Sequence, residues 1–250
     1  MSFRFLLAKL HMDSLTHQIT VRSVRKCLET LPIGSNALDY AYDEALKRVK
    51  SRELPSRELA MKTLSWIVYA QRPLHSSQVQ HALAIEIGKK DLDPENLNDI
   101  GTIISICAGL VVVNEQRIRL LHYTTQEYLV RTGPYHLPNA HQIIASSCLT
   151  CLQFNVFAHG IPYEHEGVLS DGTNLYSISR SHCRDRIKPH PLLRYAVSYW
   201  AFHSDHSLEE DVASLVAGFL GDRHIVSWAC QVLLHFRGWG YAAIMRRSLG

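Results

Sequence analysis

The sequence predicts a mostly α-helical protein: a helical linker, then a winged helix of three helices and a β-hairpin wing, then an α-helical bundle. Three observations predict it. Apolar residues recur at helical spacing along most of the chain. Between Asp93 and Leu121 that period gives way to two short apolar runs, Leu110–Val113 and Arg117–Leu121, on either side of Asn114-Glu115-Gln116, which is the pattern of a hairpin. The composition is that of a packed globular chain, with 46% hydrophobic residues and only 13 Gly and 9 Pro in 250 residues, so disorder is excluded as the main state.

The elements follow in order. Phe5 to about Leu15 reads as a short apolar helix already under way at Met1, as in a fragment of a longer chain. Val21, Val24, Leu28 and Leu31 keep helical spacing after a Thr20 cap, and Pro32 with Gly34 stops that helix. Leu38, Tyr42, Ala45, Leu46 and Val49 make the next stripe, and Lys47, Arg48 and Lys50 near its end complement the helix dipole. Residues 1–54 are therefore expected to form a helical linker.

Residues 55–132 are expected to form the winged helix. Glu58–Ala70 is apolar on most sides, as a central helix would be, and Arg72-Pro73-Leu74 breaks it. Ser76 or Ser77 is expected to cap a short helix carrying Val79, Ala82, Leu83 and Ile85. Asp93-Pro94-Glu95 reads as a cap with proline at the first position of the third helix, which carries Leu97, Ile100, Ile103, Ile104 and Cys107 and ends at Gly109. Three helices followed by a hairpin is winged-helix order. A further helix, Tyr123–Arg131, is expected to end at Gly133-Pro134. Residues 133–250 are then read as a helical domain, with a long loop over 155–189 and helices over Ala140–Leu152, from Leu192, around Val212–Leu220 and over Ile225–Phe236.

Several function classes fall away. The longest nearly apolar run, Ile103–Val113, is 11 residues, against the ~20 that a spanning helix requires. The start resembles a signal peptide only superficially, because Lys9, His11 and Asp13 break its apolar stretch. Six cysteines are too sparse for a disulfide scaffold and most sit in apolar helical patterns, which points to reduced thiols and a cytoplasmic protein. No Gly-rich phosphate loop, nucleophile elbow or H-E-x-x-H motif is present, and the chain is expected not to be an enzyme. Cys148-x-x-Cys151 has metal or redox spacing but falls on a helix beside Ile144 and Leu152, so core thiols are expected. His203 with His206, and His182 with Cys183, are pairs that 15 histidines produce by chance. His159, Glu164, His165, Glu166 and Asp171 read as a solvated loop. No metal site is expected.

A winged helix suggests DNA, but the net charge is only +3 and the third helix opens on Asp93, Glu95 and Asp99, with Glu86 and Asp91 before it. Carboxylates there repel phosphate. Only Arg117 and Arg119 on the wing suit a nucleic acid, which is expected not to be a partner.

One stretch is sharper than composition or periodicity: Arg119-Leu-Leu-His122-Tyr-Thr-Thr-Gln126-Glu127-Tyr128-Leu129. It resembles the motif that closes the winged helix in NACHT-type STAND proteins. Leu64-Ser-Trp66 through Pro73-Leu74, Gln80-His-Ala-Leu83-Ala and Ile106-Cys107-Ala-Gly109-Leu110-Val111 resemble, in order, the region of fungal NACHT proteins called the GPI inositol-deacylase winged helix domain. Phe5–Leu15 and Leu38–Ala45 resemble the helices before it. Pro191-Leu-Leu-x-Tyr195-Ala-x-x-Tyr-Trp200 resembles the segment that precedes the ankyrin repeats. His75 departs from the family, which has a hydroxyl residue after Pro-Leu.

The resemblance implies a regulatory segment of a NOD-like-receptor-like signalling protein, used in fungal non-self recognition or programmed cell death. Its partners would be a NACHT core and the ankyrin repeats of the parent protein, both expected outside these 250 residues, with oligomerisation on activation left open. No cofactor is expected in this chain, and ADP or ATP is implied only for the missing core. No deacylase activity follows from the domain's label. A histidine where the wing strand gives way to a helix can donate to a phosphate oxygen. In the family this histidine is placed to contact ADP, which makes His122 the candidate nucleotide sensor. The other reading is that His122 packs and bonds to a backbone carbonyl. Gln126, Glu127 and Tyr128 are expected to serve the motif structurally, by capping or pairing within the domain. A winged-helix DNA-binding regulator and a truncated gene product without independent function are the alternatives.

Overall fold

The computed structural model describes residues 7–8, 10–12, 15–16, 19–29, 37–158, 163–168, 174–178, 187–207 and 209–236. The described residues of 1–83 and 98–140 form one compact unit, and those of 84–97 and 141–250 form another.

The first unit carries the linker and most of the winged helix. Helix α1 (Val21–Glu29) begins on a reciprocal cap: the Thr20 hydroxyl accepts from the Ser23 N–H at 3.1 Å, and the Ser23 hydroxyl accepts from the Thr20 N–H at 3.2 Å. Helix α2 (Ala37–Lys50) buries the predicted stripe of Leu38, Tyr42, Ala45, Leu46 and Val49. Helix α3 (Leu54–Tyr69) starts earlier than its apolar period predicts, because Pro55 is preorganised for a first helical turn. It buries Ala60, Leu64, Trp66 and Val68 as the central helix. Strand β1 (Leu74–His75), helix α4 (Ser76–Ala84) and helix α5 (Ile100–Ile106) follow. Then come strands β2 (Val111–Asn114) and β3 (Arg117–Leu120) and helix α6 (Tyr123–His136).

The wing is a three-stranded antiparallel sheet in the order β1-β3-β2, one strand more than the predicted hairpin. Leu74 pairs with Ile118 and Val111 with Leu120, so the buried side chains share one face while Arg117 and Arg119 stay exposed. The hairpin turn places both Glu115 (φ 49°) and Gln116 (φ 62°) in the left-handed region, the geometry of a type I′ turn.

Four local expectations are corrected. The helix expected from Asp93 is two pieces: a 3-10 turn, Pro94–Asn96, which Asp93 caps, and α5, which Asp99 caps by accepting from the Thr102 N–H at 3.1 Å. Two acidic caps close together give the backbone two places to begin. Helix α4 begins at Ser76, and the preceding His75 does the work assigned to the serines. Its Nδ1 accepts from the Ser77 N–H at 3.4 Å, and Gln78 Oε1 turns back to the His75 N–H at 3.1 Å, a capping box with imidazole in place of hydroxyl. Helix α6 does not stop at Arg131 but runs through Gly133 and Pro134 to His136, across the boundary expected between 132 and 133. Pro134 sits in the last turn, where one lost ladder bond is tolerated, and the Leu137 N–H closes the end on Gly133 O at 2.7 Å. The expected loop over 155–189 contains a hairpin, strands β4 (Tyr163–Val168) and β5 (Asn174–Ile178), with a register shift between His165 and Gly167. Its irregular composition hides the alternation that marks a strand.

Among the described residues the second unit is otherwise helical: α7 (Ala140–Leu152), a 3-10 turn over Asn155–Phe157, α8 (Leu193–Asp205), α9 (Glu210–Gly221) and α10 (Arg223–Phe236). Its core is aromatic. Phe157 stacks on Trp228 with centroids 4.0 Å apart, and Trp200 meets Phe219 edge-on at 5.0 Å. Asn155 ties in the incoming segment, its N–H donating to Lys90 O at 2.7 Å and its side-chain amide to Asp91 at 2.8 Å. Among the described residues, no helix is long and apolar enough to cross a membrane.

Candidate functional site

The His122–Tyr128 motif lies at the start of α6, and α6 packs along the linker helix α2 through a seam of polar contacts. His122 is the N-cap of α6: its backbone is extended (φ −150°, ψ 157°), and Nδ1 accepts from the Thr124 N–H at 3.3 Å. The Thr124 hydroxyl lies 2.9 Å from that nitrogen and 2.7 Å from the Tyr42 hydroxyl of α2. His122 is thus oriented by an acceptor role on Nδ1, and the exposed Tyr123 ring stands 4.4 Å from its own.

The remaining motif residues divide by direction. Gln126 reaches across to α3 and donates to Val68 O at 2.8 Å, satisfying a carbonyl in that helix's last turn. Glu127 is exposed. Tyr128 is buried, its ring 5.1 Å from that of Tyr42, and its hydroxyl donates to Asp43 of α2. Burial, and then the hydrogen bond to Asp43, raises the phenol above its ordinary range. Tyr42 therefore links the two halves of the motif, touching Thr124 with its hydroxyl and Tyr128 with its ring.

The seam continues beyond the motif. Arg131 pairs with Asp39 at 2.7 Å on the surface. At the far end of α6, His136 Nδ1 lies 3.0 Å from Lys50 Nζ, and its Nε2 lies 3.4 Å from the Tyr128 hydroxyl. Burial lowers the His136 imidazole below its usual range, the Lys50 cation lowers it further, and Asp43 opposes both. Tyr42, Asp43, Lys50, Thr124, Arg131 and His136 were not assigned to the site from sequence. The available signal was Asp39 and Asp43, one turn apart on α2, facing Tyr128 of the motif and Arg131 just past its end.

Helix α5 is the third helix of the winged helix. It has only seven residues, Asp99 stands at its N-terminus, and linker cations hold its C-terminal end. Arg52 donates to Ser105 O at 3.0 Å and Arg48 to Ala108 O at 3.4 Å. Ala108 (φ 50°) and Gly109 (φ 81°) turn the chain there.

In the second unit, Cys148 and Cys151 are fully buried in α7, and burial raises both thiols, as core sulfurs require. His203 is buried between Tyr195, 2.7 Å from its Nε2, and His141, 3.0 Å from its Nδ1, and burial pushes it down to about 3. His206 stacks on His141 with centroids 5.0 Å apart. Among the described residues, no group of three or more His, Cys, Asp or Glu is placed to hold a metal ion. The pair His182 and Cys183, and the side chains of the group from His159 to Asp171, lie outside the described residues. A cavity of about 200 Å³ is lined by Glu86, Lys89, Asp91, Asp93 and Asn96, but its carboxylates are engaged: Glu86 by Asn96 at 2.6 Å, Asp91 by Asn155, and Asp93 by the Glu95 N–H.

The three helices and the three-stranded wing agree with comparison against known families. Residues 49–136 match the GPI inositol-deacylase winged helix domain. No curated protein and no solved structure matches the chain. The winged helix domain so delimited begins at the last turn of α2 and ends on His136, the last residue of α6. Lys50, His122, Tyr128 and His136 lie inside it, whereas Asp39, Tyr42 and Asp43 lie before it. The seam therefore lies largely where the winged helix domain meets the part of α2 that precedes it, with the Lys50–His136 contact inside the domain.

Proposed function

We propose that this chain is a non-enzymatic regulatory segment of a STAND-type signalling protein, acting in the cytoplasm in fungal non-self recognition or programmed cell death. It couples the nucleotide state of a NACHT core to a downstream ankyrin-repeat sensor. One observation carries the reading: the closing motif of the winged helix domain is built into a polar seam with the preceding linker helix, so a ligand that engages His122 acts directly on that seam. ADP on the core favours the closed arrangement, and its loss favours release, which is a population shift between two states. The adenine nucleotide belongs to the core, and this chain supplies only the imidazole that senses it.

The test begins with the transcript, read upstream of the Met1 codon for an in-frame phosphate-binding loop. In the protein that message encodes, His122→Leu is expected to release bound ADP faster and to raise signalling without stimulus. His122→Asn separates sensing from capping, because asparagine also caps a helix. It should fold as well as wild type and still lose ADP. Unchanged ADP retention in both variants refutes the sensor role. The competing DNA-binding reading rests on the exposed Arg117 and Arg119. Duplex DNA titrated with the 250-residue chain is expected to show no salt-dependent binding.

A further inference from the structure

Four side chains form a hydrogen-bonded line across one end of the α2–α6 seam, and the chemistry of its donors fixes its direction. Lys50 has only N–H donors, so His136 Nδ1, at 3.0 Å, accepts. The ring's proton is then on Nε2, which faces the Tyr128 hydroxyl at 3.4 Å, and that hydroxyl donates to Asp43. The line runs Lys50 to His136 to Tyr128 to Asp43, with one donor for each acceptor. Both of its ends are on the linker helix and both of its middle members are on the last helix of the winged helix domain.

This arrangement holds only while the imidazole carries a single proton. A second proton, on Nδ1, turns the acceptor that faces Lys50 into a donor and sets two cations 3.0 Å apart. The other groups around the ring do not compensate equally. From α2, Asp43 stands 3.8 Å from Nε2 and favours the cation, but it is already engaged by Tyr128. Asp39 is held by Arg131 at 2.7 Å. From α6, Tyr135 meets the His136 ring edge-on at 4.8 Å and lies under the Lys50 ammonium at 5.0 Å.

We propose that His136 is a proton-operated latch: protonation of its ring breaks the Lys50 contact and frees the C-terminal end of α6 from the linker helix, while the Asp39–Arg131 contact holds the rest. The latch needs no nucleotide and stands apart from the sensor role of His122.

The experiment uses the 250-residue chain. The His136 ring is titrated by NMR, and amide exchange over 123–136, corrected for intrinsic rates, is compared between about pH 7.5 and about pH 5. The wild-type midpoint is expected below the ordinary histidine value of 6.5. Protection in the last turn of α6 should fall about tenfold on acidification. His136→Gln, whose amide accepts from Lys50 and donates to Tyr128 without titrating, should keep its protection at both pH values. Lys50→Met should raise the His136 midpoint. A wild-type midpoint at or above 6.5, an equal loss of protection in His136→Gln, or a midpoint unmoved by Lys50→Met overturns the latch. Should His136→Gln fail to fold, the Lys50→Met titration decides alone.

Discussion

At the scale of single residues, histidine does in this protein what serine, threonine or aspartate usually do. His75 and His122 each precede a helix, and each offers Nδ1 to the N–H of a hydroxyl residue two positions on, Ser77 and Thr124. Replacing His122 by alanine is expected to cost about 1 kcal/mol of stability in urea unfolding, and by asparagine only a few tenths. Gly133 makes a different demand, for space. A Cβ there would overlap the Tyr69 hydroxyl. Gly133→Ala should cost ~1–3 kcal/mol, and Tyr69→Phe in the same chain should return part of it, both read from thermal unfolding. Sequence reading reached His122 and Tyr128 because their spacing and neighbours are distinctive. It did not reach Lys50 or His136, because nothing local in either residue says that the other is 3.0 Å away.

At the scale of elements, the hairpin turn is where local preference and geometry disagree. Glu115 and Gln116 both adopt positive φ, which costs a non-glycine residue roughly 1 kcal/mol. Gln116 has a reason to stay: its carbonyl accepts from the Ser76 N–H at 2.7 Å and its side chain meets His75 Nε2 at 2.8 Å, so it joins the wing tip to the start of α4. Glu115 has no such contact described. Glu115→Asn is expected to stabilise the chain by about 0.5 kcal/mol, since asparagine tolerates the left-handed region; a loss of stability would show that the side chain has a role after all. The helices of the first unit were legible because each carries an apolar stripe. The split between the 3-10 turn and α5 was not, since Asp93 and Asp99 are equally good caps on paper. The β4–β5 hairpin was hidden for the opposite reason, a lack of apolar alternation between Tyr163 and Ile178.

At the scale of the whole molecule, buried imidazoles set the response to acid. Burial lowers His11, His136, His141, His190 and His203, the last to about 3. A histidine whose folded value lies below its unfolded one contributes stability that is present above about pH 6.5 and is lost as pH falls, because the unfolded chain takes up the proton first. Unfolding free energies measured from about pH 7.5 down to about pH 5 should fall steadily, with a slope approaching ~1.4 kcal/mol per pH unit for each extra proton bound by the unfolded state. His203→Gln should lessen the slope, and a pH-independent free energy would contradict the burial of these rings.

The stretch 84–97 bears on how this protein can be taken apart. In sequence it lies between α4 and α5, inside the segment 49–136 that matches the winged helix domain, yet it is compact with residues 141–250. Asn155, far along the chain, holds Lys90 and Asp91. A segment transplanted at its family boundaries would carry residues 84–97 into the new host and leave Asn155 behind. The winged helix domain is thus continuous as a stretch of sequence but not as a portable module. A recombination event that moved it intact would have to bring residues 137–155 along or evolve a substitute for one asparagine.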